Sequence, residues 1–380
     1  IDVSTDTTRY LPPETKMELA VQAIWSELLG QDNISVDANF FDMGGHSLLA
    51  IKLVSNITRR LQQQFSIAQV FDAPTIHLMA NCLEQASELP LTGQVLTSPE
   101  NDKSKSPLSL SQSVLSLTEQ TLVKLRTGDA EFAPIFFVHP LGGQVFCYRE
   151  LLQNIDSRIP VYAFQSTNMR HPSLEELSSH YLCLARQLTP MGQLHVIGWS
   201  MGGVIAQEMQ RQAILLGDQQ INIALIDSYP TPHDLNFTEQ LVLITMMAEE
   251  MAIDLSTLQL DSLHDLTIDQ ALQLLKEIGV TQQRLPEDIE EHDLAKHLAI
   301  LTHNDQLFHQ HKMQPSTGQG LLIAAGNNTQ VAHWHRHIKQ LTTARIAGSD
   351  HFSIVGASFS HQLASQLQDM FYTPSSFTFA

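Results

Sequence analysis

The sequence predicts two domains: a small all-α helical bundle, then an α/β domain whose mostly parallel sheet is interrupted by a helical insertion. Three observations lead to this. The chain has 380 residues, more than one domain usually needs. Residues 10–86 carry helical periodicity without a strand pattern, whereas from about residue 119 short apolar strands alternate with helices. Between them, residues 87–118 are rich in Ser, Pro and polar residues and have no period, which reads as a linker, flexible in part.

In the bundle, "TKME" is a capping box with Thr15 as N-cap and Glu18 three residues on. Met17, Val21, Ile24 and Leu28 follow at helical spacing until Gly30 stops the helix. A second helix follows Ser47, with Leu49, Leu53 and Ile57 on one face, and "DAPTIHLMANCLEQA" gives a third with Pro74 near its start. In the second domain, residues 119–376, "PIFFVHP", "VYAFQ", "LHVIGWS", "NIALIDS", "GLLIAAG" and "ARIAGSD" are the strand candidates. Helices such as "SLEELSSHYLCLARQL" and "VIAQEMQRQAILLG" lie between most of them, so both sheet faces are expected to be covered. Residues 233–315 break the rhythm with three helical stretches and no strand, the pattern of a lid-like insertion.

Composition narrows the function. Lys and Arg number 21 against 40 Asp and Glu, a net charge of -19, which argues against a nucleic-acid binder. No apolar run approaches the ~20 residues of a membrane span, and no secretory signal opens the chain. Ile1 rather than Met stands first, which suggests an excised piece of a longer polypeptide. Cys82, Cys147 and Cys183 are odd in number and lack a CxxC, so buried free thiols in a reducing cytoplasm are expected.

Two serines carry the functional signal. In "FFDMGGHSLLAI", Gly44 and Gly45 permit a sharp turn and Ser47 opens a helix. By spacing alone Ser47 is either a plain N-cap or the bearer of an anionic group facing the positive end of the helix dipole. In "LHVIGWSMGGVIAQEM", Gly198, Ser200 and Gly202 form G-x-S-x-G. The pattern alone is weak, but here it ends a strand and opens a helix, as a nucleophile elbow does.

A serine hydroxyl needs a base and an orienting acid, and in α/β-hydrolases these follow in the order Ser, Asp or Glu, His. Asp227 ends the next strand and His351 follows the last one, so all three residues belong to carboxyl ends of parallel strands. Asp350 is the rival acid, but its adjacency to His351 points its side chain away from the imidazole. The oxyanion hole is expected from the backbone N–H of Met201, just after the nucleophile, and of Leu141 in the loop "FFVHPLGG". His139 in that loop precedes Pro140 and reads as loop-shaping. "HWHRH" (His333, His335, His337) reads as a solvated helix face rather than a metal tract, and His303, His309 and His311 read as lid surface residues.

These motifs resemble known families. "DANFFDMGGHSLLAIKLVSNI", with "RYLPPET" before it and "VFDAPTI" after it, resembles the core of peptidyl carrier domains of nonribosomal peptide synthetases over residues 10–86. "TDTTRYLPP" resembles the link that leaves an adenylation domain. "FVHPLGG", "GWSMGG", "LIDSYP" and "GSDHFSI" resemble, in order and spacing, the type I thioesterase domain at the end of such synthetases, over about residues 119–372. The resemblance implies covalent 4′-phosphopantetheine on Ser47, with His46 as a surface recognition residue beside it. It implies Ser200 as nucleophile, Asp227 as orienting acid, His351 as base and residues 233–315 as the substrate lid. It further implies upstream adenylation and condensation domains, a phosphopantetheinyl transferase and a peptidyl thioester substrate as partners, in cytoplasmic antibiotic or siderophore biosynthesis. Neither nucleic acid nor a membrane is expected as a partner, nor a metal.

Overall fold

Thr15 starts the first helix as the sequence predicts. Its hydroxyl accepts from the Glu18 amide at 3.0 Å while the Glu18 carboxylate accepts from the Thr15 amide at 3.0 Å, and α1 (Lys16–Leu29) runs from there to a left-handed Gly30. The computed structural model describes residues 10–88, 121–167, 170–231, 240–256, 266–326, 328–329 and 331–372. Apart from residues 87 and 88, the predicted linker 87–118 lies outside them, as do 233–239 and 257–265 of the predicted insertion.

The described residues divide into two compact units, one of 10–88 with Lys276–Ile289, the other of the described parts of Gln120–Leu275 and Glu290–Ala380. The segment 276–289, read from the sequence as part of the insertion, therefore falls in the first unit. In that unit α2 is Ser47–Leu61, α3 is Ile67–Asp72 and α4 is Ile76–Glu88. Helix α3 is too short to show a period, so the sequence reading passed over it. Its signal is the S-x-x-Q capping box of Ser66 and Gln69, which forms in the structure. Trp25 and Phe40 meet edge to face at 5.0 Å, and with Leu49, Leu53 and Ile57 of α2 they are buried in the core.

The second unit holds a seven-stranded sheet in the order β1-β3-β2-β4-β5-β6-β7. The strands are β1 (Leu122–Arg126), β2 (Ile135–Val138), β3 (Val161–Phe164), β4 (Leu194–Trp199), β5 (Ile221–Ile226), β6 (Ser316–Ala325) and β7 (Ile338–Ile346). All pairings are parallel except β1 with β3. β1 is an edge strand outside the strand candidates of the sequence. The described helices are α5 (Arg149–Asn154), α6 (Leu174–Leu188), α7 (Met201–Leu215), α8 (Gln240–Glu250), α9 (Ile268–Thr281), α10 (Glu291–Gln310), α11 (Val331–Trp334) and α12 (Ala357–Phe371). Every residue of β2 and β4 is buried, as a sheet covered on both faces requires. The three helical stretches of the insertion correspond to α8, α9 and α10. No helix among the described residues is long and apolar enough to cross a membrane.

The strand order sets the position of the site. From β2 the chain crosses to β3 on one side of the sheet, then returns to β4 on the other. The carboxyl ends of β2 and β4 therefore flank a topological switch point, where a parallel sheet leaves a crevice.

Glu18 couples the first cap to the bundle. It is 4% exposed and accepts from the Glu14 amide at 2.8 Å and from His77 Nδ1 on α4 at 2.7 Å. Burial raises its carboxyl, but the bonds from His77, Thr15 and Glu14 outweigh that and hold it below the ordinary glutamate value. Its contribution to stability is therefore complete above the ordinary value and is lost as pH falls through the lowered one. Glu18→Ala should destabilise the bundle by about 1–3 kcal/mol at neutral pH, read by hydrogen exchange of the α1 amides, and the difference from the parent should shrink in acid.

Candidate active site

Ser200 sits between β4 and α7 with φ 56° and ψ -127°, a region side chains avoid because Cβ crowds the backbone. The strain holds because the flanking backbones interlock. A Cβ on Gly198 would strike the Gly202 backbone, and one on Gly202 would lie 2.5 Å from the Val138 carbonyl oxygen of β2. The Ser200 N–H continues the ladder to the Ile226 carbonyl at 3.1 Å, and the Ser228 hydroxyl donates to the Ser200 carbonyl at 2.6 Å. Tyr148 ties the two central strands together, its hydroxyl donating to the Val138 carbonyl at 2.6 Å and accepting from the Trp199 N–H at 2.7 Å.

The three residues singled out from strand ends come together here. His351 Nε2 lies 3.2 Å from Ser200 Oγ, and His351 Nδ1 lies 2.8 Å from Asp227 Oδ2. Asp227 is fully buried and accepts further bonds at Oδ1 from the Ala325 amide at 2.8 Å and Asn328 Nδ2 at 2.7 Å, and at Oδ2 from the Tyr229 hydroxyl at 3.3 Å. Burial raises its carboxyl, yet the bonds from His351, Asn328 and Ala325 bring it below the ordinary aspartate value. The Asp227–His351 pairing fixes the tautomer: the carboxylate accepts from Nδ1–H, which leaves the Nε2 lone pair toward Ser200. Trp199 Nε1–H donates to the His351 carbonyl at 3.0 Å and steadies that loop. The rival Asp350 faces elsewhere, its carboxylate accepting from the Phe352 and Ser353 amides.

Leu141 and Met201 both line the cavity that contains Ser200, His351 and Tyr229. Among the described residues neither of their backbone N–H groups meets an acceptor in the protein. The cavity, about 130 Å³, is otherwise walled by Met246, Phe308 and Phe352, with Asp305 and His309 as its further polar groups. His309 Nδ1 lies 3.2 Å from Asp305 Oδ1, and burial raises the Asp305 carboxyl against the pull of His309.

Several histidines differ from their expected settings. His309 lines the cavity instead of the lid surface, and the His311 side chain is 2% exposed with Nδ1 2.8 Å from Glu175 Oε1. His303 is half-buried, and burial lowers it. His46, expected at the surface, is buried in the first unit with Nε2 2.7 Å from the Arg284 carbonyl. The common reason is that α10 and the 276–289 segment each bury a face that their polar sequence does not advertise. His139 is fully buried and shapes its loop: Nδ1–H donates to the Pro140 carbonyl at 2.7 Å and Nε2 accepts from the Tyr181 hydroxyl 2.9 Å away. Burial lowers it to about 4, which keeps it neutral. The cysteines are free, but Cys183 is exposed and Cys82 and Cys147 only half-buried, against the buried thiols expected.

Ser47 is the first residue of α2, and His46, in extended conformation, takes the N-cap position without a side-chain cap bond. The first turn has no acidic residue either. Helices α1 and α3 use a Thr and a Ser to cap themselves, whereas α2 leaves its N-terminal donors without such a cap, which suits a phosphate.

A family model described as thioesterase domain matches residues 133–371, more than half of the chain. The chain belongs to the thioesterase domain family. A second model, phosphopantetheine attachment site, matches residues 20–83, so the helical unit is the attachment domain for that cofactor. The thioesterase chain is 32% identical over 57% of its length to a dimodular nonribosomal peptide synthase of Bacillus subtilis (strain 168), covering 8% of that protein. It is 27% identical over 60% of its length to enterobactin synthase component F of Escherichia coli (strain K12), covering 16% of that protein. The chain thus spans a small fraction of these relatives. Among solved structures, a holo four-domain nonribosomal peptide synthetase bound to AMP and glycine matches with TM-score 0.64 and 23% identity, over 97% of this chain and 27% of that one. A NocB thioesterase domain in covalent complex with a fluorophosphonate nocardicin G analogue matches with TM-score 0.50 and 18% identity, over 66% and 98%. Both likenesses concern the fold, the first over both domains and the second over the α/β domain alone.

Sequence reasoning missed Asn328, Tyr229, Trp199 and Tyr148, which hold Ser200, Asp227 and His351 in their arrangement. Asn328 follows the carboxyl end of β6, a position that could have flagged it. The packing around the elbow yields a test. Gly198→Ala should cost about 1–3 kcal/mol or more through the forced backbone shift, seen as a lower Tm, with loss of fluorophosphonate labelling in the fraction that stays folded.

Proposed function

We propose that this chain is the carrier and releasing thioesterase of a nonribosomal peptide synthetase. The observation that supports the reading most is the Ser200–His351–Asp227 relay, at 3.2 and 2.8 Å, on a strained elbow in the same chain as a phosphopantetheine attachment domain. In this reading Ser47 bears 4′-phosphopantetheine, with the uncapped N-terminus of α2 beside its phosphate. The bound cofactor supplies a thiol that holds the acyl chain as a thioester. Upstream adenylation and condensation domains deliver the peptide, and a phosphopantetheinyl transferase modifies Ser47.

The chemistry follows from the residues. Ser200 Oγ gives its proton to His351 Nε2 and forms a bond to the thioester carbonyl carbon. Charge gathers on the carbonyl oxygen, where the N–H groups of Leu141 and Met201 donate. Asp227 stabilises the imidazolium and holds its orientation. As the C–S bond breaks, His351 returns the proton to sulfur, leaving an ester on Ser200. A second nucleophile then gives its proton to His351 and takes the acyl group, and Ser200 recovers its hydrogen. Water as that nucleophile yields an acid, whereas an amine or hydroxyl of the same chain yields a ring. The walls from Met246, Phe308 and Phe352 limit water at the ester. Joining both domains in one chain makes the transfer intramolecular.

Intact mass tests the reading. After transfer of acyl-pantetheine from acyl-CoA, wild type should gain the arm on Ser47 and then lose only the acyl group. Ser200→Ala should gain the same mass and keep it. Rapid discharge in that variant would sink the nucleophile assignment, and absence of any arm would sink the Ser47 assignment. Asp227→Asn should slow release by several orders of magnitude, on the order of 10⁴-fold if the imidazole is held in the wrong tautomer, with Asp350→Asn close to wild type. Equal rates for the two variants would move the orienting role away from Asp227.

A further inference from the structure

The loop after β2 carries the Leu141 N–H but does not hold itself in place. Its turn closes through the Gly143 N–H to the Pro140 carbonyl at 3.0 Å. One further anchor is the loop's own His139, and the others come from distant segments. His139 donates to the Pro140 carbonyl, and the Ser166 N–H donates to the Gly143 carbonyl at 2.8 Å. The Leu141 carbonyl is met from the insertion: Asn304 Nδ2 on α10 donates to it at 2.8 Å. Asn304 is 1% exposed, and its Oδ1 accepts from the Ser166 hydroxyl at 3.3 Å. That second bond orients the amide, because a hydroxyl can serve Oδ1 while a carbonyl can only accept from the NH2. A second lid contact backs the loop. The Glu250 carboxylate at the end of α8 packs against Gly142, and Glu250 Oε2 lies 2.8 Å from His297 Nε2 on α10.

We propose that Asn304 is a positioning residue of the oxyanion site: by holding the Leu141 carbonyl it keeps the N–H of the same residue directed into the cavity. The insertion is then part of the catalytic apparatus as well as its cover. Two successive turns of α10 carry the loop anchor Asn304 and the cavity residues Asp305, Phe308 and His309, so the helix that shapes the acyl site also sets the oxyanion donor. A shift of α10 would move both together. The inference rests on Leu141 N–H being an oxyanion donor to a Ser200 adduct.

The test uses the full chain with two probes, a fluorophosphonate that phosphonylates Ser200 and an octanoyl N-acetylcysteamine thioester. Losing an oxyanion donor costs about 10²–10³ in kcat, and loosening one should cost less. Asn304→Ala should lower kcat and the labelling rate by roughly ten- to a hundred-fold, with KM within about two-fold, at temperatures well below its Tm. Asn304→Asp keeps the shape and sets a carboxylate oxygen against the Leu141 carbonyl, so it should lose at least as much rate while retaining the fold. Ser166→Ala removes only the bond that orients the Asn304 amide and should lose less rate than Asn304→Ala. If the Asp variant is folded and keeps kcat and labelling rate, the proposal is wrong. It is also wrong if the loss lies in KM or matches the unfolded fraction alone. Ser200→Ala separates the two readings. If it is inert while the Asn304 variants react normally, only the anchor fails; if Ser200→Ala still labels and turns over, the nucleophile assignment fails instead.

Discussion

The close approach of two backbones at the elbow is the constraint on which the α/β domain depends. Gly198 at the end of β4 and Gly202 in the first turn of α7 leave no room for a Cβ between them or against β2. That contact forces Ser200 into a backbone region that costs on the order of 1–3 kcal/mol. The cost is covered by surroundings that are already complete: fully buried strands on either side, the Tyr148 hydroxyl bridging β2 and β4, and the Ser228 hydroxyl on the Ser200 carbonyl. Strain on one residue is thus sustained by the packing of many, and the result is a hydroxyl exposed at the mouth of the crevice.

The polar groups around that hydroxyl are arranged by the same sheet. β4 and β5 are in register, as are β5 and β6, so Ser200, Asp227 and the segment after β6 emerge side by side. Asp227 is held by donors from β6 and the loop beyond it, which keeps its carboxylate ionised in a buried setting. His351 arrives from the loop after β7 and is steadied by Trp199, the residue before Ser200. Ser200, Asp227 and His351 each have a neighbour that orients them, and most of those neighbours sit one or two residues from a strand end.

The helical domain solves a different problem. Three of its helices are ordinary packing elements, two of them capped by their own Thr or Ser. α2 departs from this by presenting a His at the N-cap and no acidic residue in its first turn. A helix start of this kind favours an anion, in keeping with a phosphopantetheine attachment domain. The two domains therefore treat the start of a helix differently: one leaves it without a side-chain cap, and the other presents the Ser200 hydroxyl there.

Local rules carried much of this in the sequence itself. The Thr15 capping box, the Gly30 stop, the apolar strands and the strand–G-x-S-x-G–helix order depend on residues within a few positions of each other, where spacing alone sets geometry. Ser200, Asp227 and His351 were legible because parallel strands deliver their carboxyl ends to one edge whatever else the fold does. The tertiary structure decided what depends on packing between distant segments. Nothing local to Asn304 announces a bond to a loop 163 residues earlier. Nor does the polar sequence of α10 reveal which of its histidines face the cavity, since a helix with polar residues on every side gives no periodic signal for its buried face. The short α3 and the edge strand β1 escaped for a related reason: six and five residues are too few to establish a period, and their placement comes from the neighbours they pack on.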